Sequence, residues 1–168
     1  GLVKCVCDHA GDGAIVWDVG ANGGLFSYYL LSKLKLTELV FFEPNPKMFG
    51  MAHSILSQFG NTRGVEAALS DTKKSGQLVV PAGGSGTGTL EAERTNRSGD
   101  AVLVECLVGD ELVADGQLQP PNLIKIDTEG HEMAVLRGLR QIMERHRPLV
   151  FFEHISLSPK EIESCIPD

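Results

Sequence analysis

No apolar run in the chain approaches the roughly 18 residues that a membrane-spanning helix needs, and no basic start followed by an apolar core marks a secretory signal. The expected location is therefore the cytoplasm. Lys and Arg form no run, and the net charge is −7, so a nucleic-acid backbone is excluded as the main partner. Cysteine is sparse. Cys5, Cys7, Cys106 and Cys165 form no C-x-x-C pair, so neither a zinc site nor a disulfide framework is expected. Cys5-Val6-Cys7-Asp8-His9 could gather a metal, with frayed terminal residues as the plain alternative. There is no internal repeat. With 168 residues, 42% of them hydrophobic, the chain reads as a single domain, 1–168. A chain of that size buries roughly 70% of the surface it exposes when unfolded.

What is present begins with Ile15-Val16-Trp17-Asp18-Val19-Gly20-Ala21-Asn22-Gly23-Gly24, an apolar run that ends in an acid and breaks into a glycine-rich turn. Leu25 then opens a helical pattern. Gly20, Gly23 and Gly24 permit positive φ and close backbone approach, and free N–H groups at the helix start favour an anionic group. A nucleotide-like cofactor is the expected ligand.

Apolar strands alternate with helices along the rest of the chain. Ala14 to Ala21 reads as a strand buried on both faces, Leu25 to Lys33 as a helix, and Leu39 to Glu43 as a second buried strand. In Pro44-Asn45-Pro46, Asn45 suits an N-cap and Pro46 the first helical position, and helical spacing then runs from Met48 to Phe59 before Gly60. A third strand is expected from Arg63 to Leu69. Gln77 to Pro81 and Ala101 to Val108 read as two more, separated by an insertion from Gly83 to Gly99 whose length and composition predict a mobile lid or disorder. Its Gly84-Ser85-Gly86-Thr87-Gly88 lacks the lysine of a phosphate loop.

Leu123 to Asp127 reads as a strand that enters Thr128-Glu129-Gly130, and one helix follows through Met133, Leu136, Leu139 and Ile142 to Arg145-His146-Arg147. Leu149 to Glu153 is the next buried strand. The pattern predicts an α/β fold with a doubly wound, mostly parallel sheet and a core of about 14–154.

Ligands of such sheets bind beyond the carboxyl ends of the strands. Asp18, Glu43, Asp127 and Glu153 each close a buried strand and would gather on that rim, although acids also end strands simply because strands end at the surface. Glu43 lies about twenty residues past the glycine turn, where a carboxylate can accept from both hydroxyls of a ribose. That position suits NAD and an adenosine-containing methyl donor equally. The turn reads G-x-N-x-G, with Asn22 where a dinucleotide fingerprint requires glycine, so a pyrophosphate is disfavoured.

The blocks D-V-G-A-N-G-G, F-E-P-N-P, A-A-L-S-D, I-K-I-D-T-E-G-H-E and P-L-V-F-F-E, in that order from Asp18 to Glu153, resemble the FkbM family of S-adenosylmethionine-dependent methyltransferases. The resemblance implies a class I, Rossmann-like methyltransferase fold, S-adenosyl-L-methionine as cofactor, and methyl transfer to a hydroxyl of a sugar, lipid or other small molecule. It places Asp18, Gly20, Ala21, Asn22 and Gly24 around the methionine end, Glu43 on the ribose, and Ala67, Ala68 and Leu69 against the adenine. Asp127 would sit beside the sulfonium.

A hydroxyl nucleophile must lose its proton, and His131 is the first choice of base because histidine is the side-chain type suited to proton transfer near neutral pH. Glu129 and Glu153 are further catalytic candidates, with His154 beside them, while His131 otherwise reads as a residue bonding the first turn of its helix. Lys125 receives no catalytic role and is expected only to pair with a neighbouring carboxylate. Asp127, Glu129, His131 and Glu153 or His154 could alternatively hold Mg²⁺ or Mn²⁺, but no metal is assigned.

The resemblance departs at the C-terminus: Ile155 to Asp168 is too short for the antiparallel strand pair that ends such domains. An uncovered sheet edge there would admit a second copy and make a homo-oligomer. Two other functions remain open from the residues, an NAD-dependent oxidoreductase and a cofactor-binding scaffold without turnover.

Overall fold

A computed structural model describes residues 2–81, 88–90 and 99–152. The N-terminal segment forms α1 (Leu2–Ala10) rather than a frayed end. Val6 explains it, being fully buried against the sheet. Then come β1 (Ile15–Val19), α2 (Leu25–Leu31), β2 (Glu38–Phe42), α3 (Pro46–Leu56), β3 (Thr62–Val65), β4 (Ala68–Leu69), β5 (Lys74–Pro81) and β6 (Gly99–Leu107). The chain continues through α4 (Gly109–Ala114), β7 (Leu123–Ile126), α5 (Glu132–Gly138), α6 (Arg140–His146) and β8 (Leu149–Phe152).

Five parallel strands lie in the order β3-β2-β1-β7-β8. This is the doubly wound sheet expected from the sequence, and its strand order reverses between β1 and β7, where a crevice opens beyond the carboxyl ends. Side-chain alternation distributes the core to both faces. Trp17, Val19, Val40, Phe42, Ile124 and Ile126 pack on one side with Val135, Leu136 and Leu139. Val16, Leu39, Phe41 and Leu123 pack on the other with Leu30, Ala52 and Leu56. Asp18 and Lys125 are opposed in the β1–β7 register and share this second face. Among the described residues, no helix is long and apolar enough to cross a membrane.

Several expectations change in the structure. The apolar run from Arg63 to Leu69 is two strands, because the chain turns at Glu66 and Ala67 and leaves the main sheet. Its second part, β4, joins a separate sheet ordered β4-β6-β5, in which β5 and β6 form a long antiparallel hairpin. The long helix after Gly130 breaks at Leu139, whose backbone (φ −111°, ψ 8°) leaves helical geometry. Gly138 precedes the break, and a side chain there would fall on the Ser70 carbonyl. The helix α4 was not foreseen; Asp110 in its first turn accepts from the Gln141 and Ile142 amides and starts α6. Most of the insertion from Gly83 to Gly99 lies outside the described residues, as do Glu153, His154 and the C-terminal segment. Its described Thr89 pairs antiparallel with Val79 on β5.

Candidate active site

The turn after β1 is shaped by close backbone approach. Gly20 takes φ +78°, and a Cβ there would collide with the Asp127 carbonyl. Gly24 takes φ +81° with Ala52 3.0 Å from a notional Cβ. The third left-handed position is Asn22 (φ +53°), not Gly23 as expected, because the Asn22 side chain closes a local turn by accepting the Gly23 amide at 2.7 Å.

The loop is hydrogen-bonded to itself and to β2. Gly20 and Ala21 amides both donate to the Phe42 carbonyl at 3.0 Å, Gly24 donates to Ala21 O at 2.9 Å, and Asn22 donates to Glu43 Oε2 at 2.7 Å. The amides from Gly20 to Gly24 are thus already engaged, whereas the expected anion contact concerns the amides at the start of α2, which follow Gly24. Backbone donors beside a buried strand end must be satisfied, and this turn satisfies them internally.

Lys125 is the hub beneath the loop. The residue is 4% exposed, and its ammonium donates to Gly20 O at 2.8 Å and pairs with Asp18 Oδ1 at 3.0 Å and Asp127 Oδ2 at 3.5 Å. Burial pulls its pKa down, but the Asp18 and Asp127 carboxylates outweigh that and hold it above the usual lysine value. Asp18 is fully buried, its other oxygen accepting from Ser27 Oγ at 2.6 Å.

After β7 the chain makes a second strained turn. Glu129 takes φ +55° and Gly130 φ +107°. Buried Glu132 organises it: Oε1 accepts from Thr128 N, Thr128 Oγ1 and Gly130 N, each at 3.0 Å. Thr89 Oγ1 donates to the Glu129 carbonyl at 2.8 Å, tying the β5–β6 hairpin to this turn. His131 caps α5 by position without a side-chain cap bond, and its Nε2 lies 3.1 Å from buried Ser70 Oγ.

Between these turns lies a cleft of about 610 Å³, counting its open mouth. Of the residues expected at a site, Gly20, Asn22, Glu43, Ala67, Ala68, Leu69, Asp127, Glu129 and His131 line it. Three expected cofactor residues do not. Asp18 is buried under Lys125, Ala21 packs into the core on the α2 face, and Gly24 sits against Ala52. Glu153 lies outside the described residues.

Leu78, Leu90 and Thr128 also line the cleft, and the sequence did not point to them. Leu78 and Leu90 arrive from the second sheet and the insertion, which no local pattern could assign to this cleft.

The lining is acidic. Glu43, Asp127 and Glu129 are among the cleft's lining residues, and no Lys or Arg is present among the described ones. Both Glu43 oxygens accept backbone N–H groups, from Asn22 at 2.7 Å and Asn45 at 2.8 Å. Burial nevertheless pushes its carboxyl above the ordinary glutamate value, against those two donors. Among the described residues, no three His, Cys, Asp or Glu side chains converge as metal ligands; the Cys5 side chain of the N-terminal candidate lies outside them.

Comparison with known proteins agrees with this architecture. The hexuronic acid methyltransferase AglP of Haloferax volcanii is 25% identical over 171 residues, which span 99% of this chain and 67% of that protein. Methyltransferase 1 of Beauveria bassiana is 30% identical over 148 residues, 76% of this chain and 59% of that protein. The chain thus spans about two thirds or less of these relatives. The crystal structure of a methyltransferase FkbM from Methylobacillus flagellatus superposes with TM-score 0.59 at 18% identity, over 84% of this chain and 33% of that one. A precorrin-6y C5,15-methyltransferase from Geobacter metallireducens gives TM-score 0.57 at 14% identity, over 98% of this chain and 70% of that one. Residues 18–165 match the methyltransferase FkbM domain, and the chain belongs to that family.

Proposed function

We propose that this domain binds S-adenosylmethionine in the cleft between β1 and β7 and promotes methyl transfer to a hydroxyl of a small-molecule, sugar or lipid acceptor. The observation that carries the reading is the charge of the cleft: Glu43, Asp127 and Glu129 face it without a described Lys or Arg, while the Gly20 to Gly24 amides are already engaged. Such a lining suits a cationic ligand and opposes the negative charge of a pyrophosphate, which disfavours NAD. The name of the Haloferax relative supports a sugar acceptor.

The cofactor, when bound, supplies an electrophilic methyl group on a sulfonium sulfur. Glu43 retains lone pairs for ribose hydroxyls, and the apolar wall of Ala67, Ala68, Leu69 and Leu78 suits a flat adenine ring. Asp127 lies on the opposite side, its side chain 37% exposed, and presents negative charge to the sulfonium or amino group. Holding an acceptor oxygen in line supplies up to about 7–11 kcal/mol of the barrier reduction. His131, buried at the cleft wall, takes the hydroxyl proton, a contribution of about 10²–10⁴-fold, with Glu129 beside it in the same turn. No metal takes part, so turnover should survive exhaustive chelation; its loss, restored by Mg²⁺ or Mn²⁺, would refute that point.

Titration calorimetry with S-adenosylhomocysteine and NAD tests the cofactor. Binding of the former alone supports the reading, and binding of NAD alone overturns it. His131→Ala should lower turnover far more than cofactor affinity, and Glu43→Ala the reverse. Wild-type turnover in the His131 variant would remove it as the base.

A further inference from the structure

Lys125 lies behind the cleft wall, outside the cleft lining, and three parts of the site converge on its one ammonium group. Its bond to Gly20 O at 2.8 Å draws that carbonyl toward the sheet and fixes the peptide at the start of the turn. Its pairing with Asp18 at 3.0 Å compensates a fully buried carboxylate. The more distant contact, 3.5 Å to Asp127 Oδ2, engages a single oxygen of a side chain that is otherwise 37% exposed. The Phe26 ring centroid lies 5.5 Å from the ammonium, so the cation is enclosed on the α2 side as well. The charged groups facing it are Asp18 from β1 and Asp127 from the end of β7, with Glu43 contributing at longer range across β2.

We infer that Lys125 is a positioning residue for cofactor recognition: it tethers Asp127 by one oxygen and Gly20 by its carbonyl, so that the remaining Asp127 oxygen faces the cleft in a fixed direction. The inference rests on the cofactor reading above. An untethered Asp127 would rotate among its rotamers, and its contact with a cationic group would carry the entropy of ordering it. An ammonium point charge on a flexible stem suits this task, since it can serve three acceptors that are not coplanar.

The test compares affinity for S-adenosylmethionine, which carries the sulfonium charge, with affinity for S-adenosylhomocysteine, which lacks it, by calorimetry on wild type and Lys125→Met. The variant should lose about tenfold or more for the charged ligand and distinctly less for the neutral one. Both ligands share the amino group, so a merely structural role, or an Asp127 aimed at that group, would weaken both alike, and equal losses overturn the inference that the tether serves the sulfonium. Lys125→Met leaves Asp18 buried without its cation, which threatens folding. The double variant Asp18→Asn with Lys125→Met removes both charges together and is read against Asp18→Asn alone. It should keep the fold and still show the selective loss; wild-type affinity for both ligands in the double variant refutes the tether. If the wild-type chain binds neither ligand, the cofactor reading itself fails and this inference falls with it, an outcome distinct from equal losses.

Discussion

Glu43 and Asn22 are joined by a 2.7 Å hydrogen bond in which carboxylate Oε2 accepts the backbone N–H of a residue held at φ +53°. The other oxygen accepts the Asn45 amide, so one side chain braces the turn after β1 against the turn that starts α3. The proposed ribose acceptor is therefore also a structural brace.

Glu43→Gln should separate the two roles. An amide group in this position turns one N–H donor against another, and destabilisation of about 1–3 kcal/mol is expected by chemical denaturation. The pH response follows from the raised carboxyl. Between the ordinary glutamate value and the raised one, the folded chain binds more protons than the unfolded chain, so this contribution to stability is present at low pH and declines as pH rises through that window. Cofactor affinity should move oppositely, falling as pH drops through the same window because the ionised form accepts the hydroxyls. Glu43→Gln should remove this contribution from both slopes, measured by denaturation and calorimetry at matched pH values.

Glycines in and near the site should respond unequally to alanine. Gly20→Ala places a methyl on the Asp127 carbonyl in a left-handed backbone and should prevent cofactor binding and lower the melting temperature sharply. Gly24→Ala combines φ +81° with a 3.0 Å approach to Ala52 and should cost about 1–2 kcal/mol or more. Gly50 is exposed within α3 with open space around a notional Cβ. Gly50→Ala should stabilise the fold by about 0.5–1 kcal/mol and leave binding unchanged.

Glu132 should prove more important than its exclusion from the cleft implies. Its Oε1 is the shared acceptor for Thr128 N, Thr128 Oγ1 and Gly130 N in the turn that carries Glu129 and His131. Glu132→Ala removes that acceptor from a part-buried turn and should destabilise by at least about 2 kcal/mol, with turnover falling alongside. Glu132→Gln keeps an oxygen acceptor and should restore much of the stability. Equal melting temperatures for wild type and the alanine variant would show the turn to be held by other bonds.

The main sheet was legible because its strands are near-continuous apolar runs, and Asn45 with Pro46 announced α3 through their own capping chemistry. Short-range patterns end where tertiary contacts decide. The division of Arg63 to Leu69 between two sheets depends on β4 meeting β6, residues distant in sequence, and Leu78 enters the cleft by the same route. Asp18 illustrates a subtler failure. Its place at a strand end was read correctly, but the two-residue alternation turns it toward α2 and Lys125, away from the cleft. Asp127, one residue beyond β7, escapes that alternation and reaches the lining.

Ser70 offers the most direct check on His131. Its hydroxyl lies 3.1 Å from His131 Nε2 and 3.4 Å from Asp71 Oδ1, and the serine is fully buried. Asp71 is itself held by Arg137 Nε at 2.9 Å on an exposed edge. Burial raises the Asp71 carboxyl, but Arg137 outweighs it and keeps the group below the usual aspartate value. Ser70→Ala removes the hydroxyl that fixes the imidazole and should destabilise by about 1 kcal/mol. If His131 is the base, kcat should fall while cofactor affinity stays near wild type, since the Glu43 and Asp127 contacts are untouched. Arg137→Ala acts only through a surface pair and should change stability by less than about 1 kcal/mol. An unchanged kcat in Ser70→Ala would mean that the imidazole orientation is set elsewhere, whereas a fall in affinity with constant kcat would place Ser70 on the binding side of the cleft.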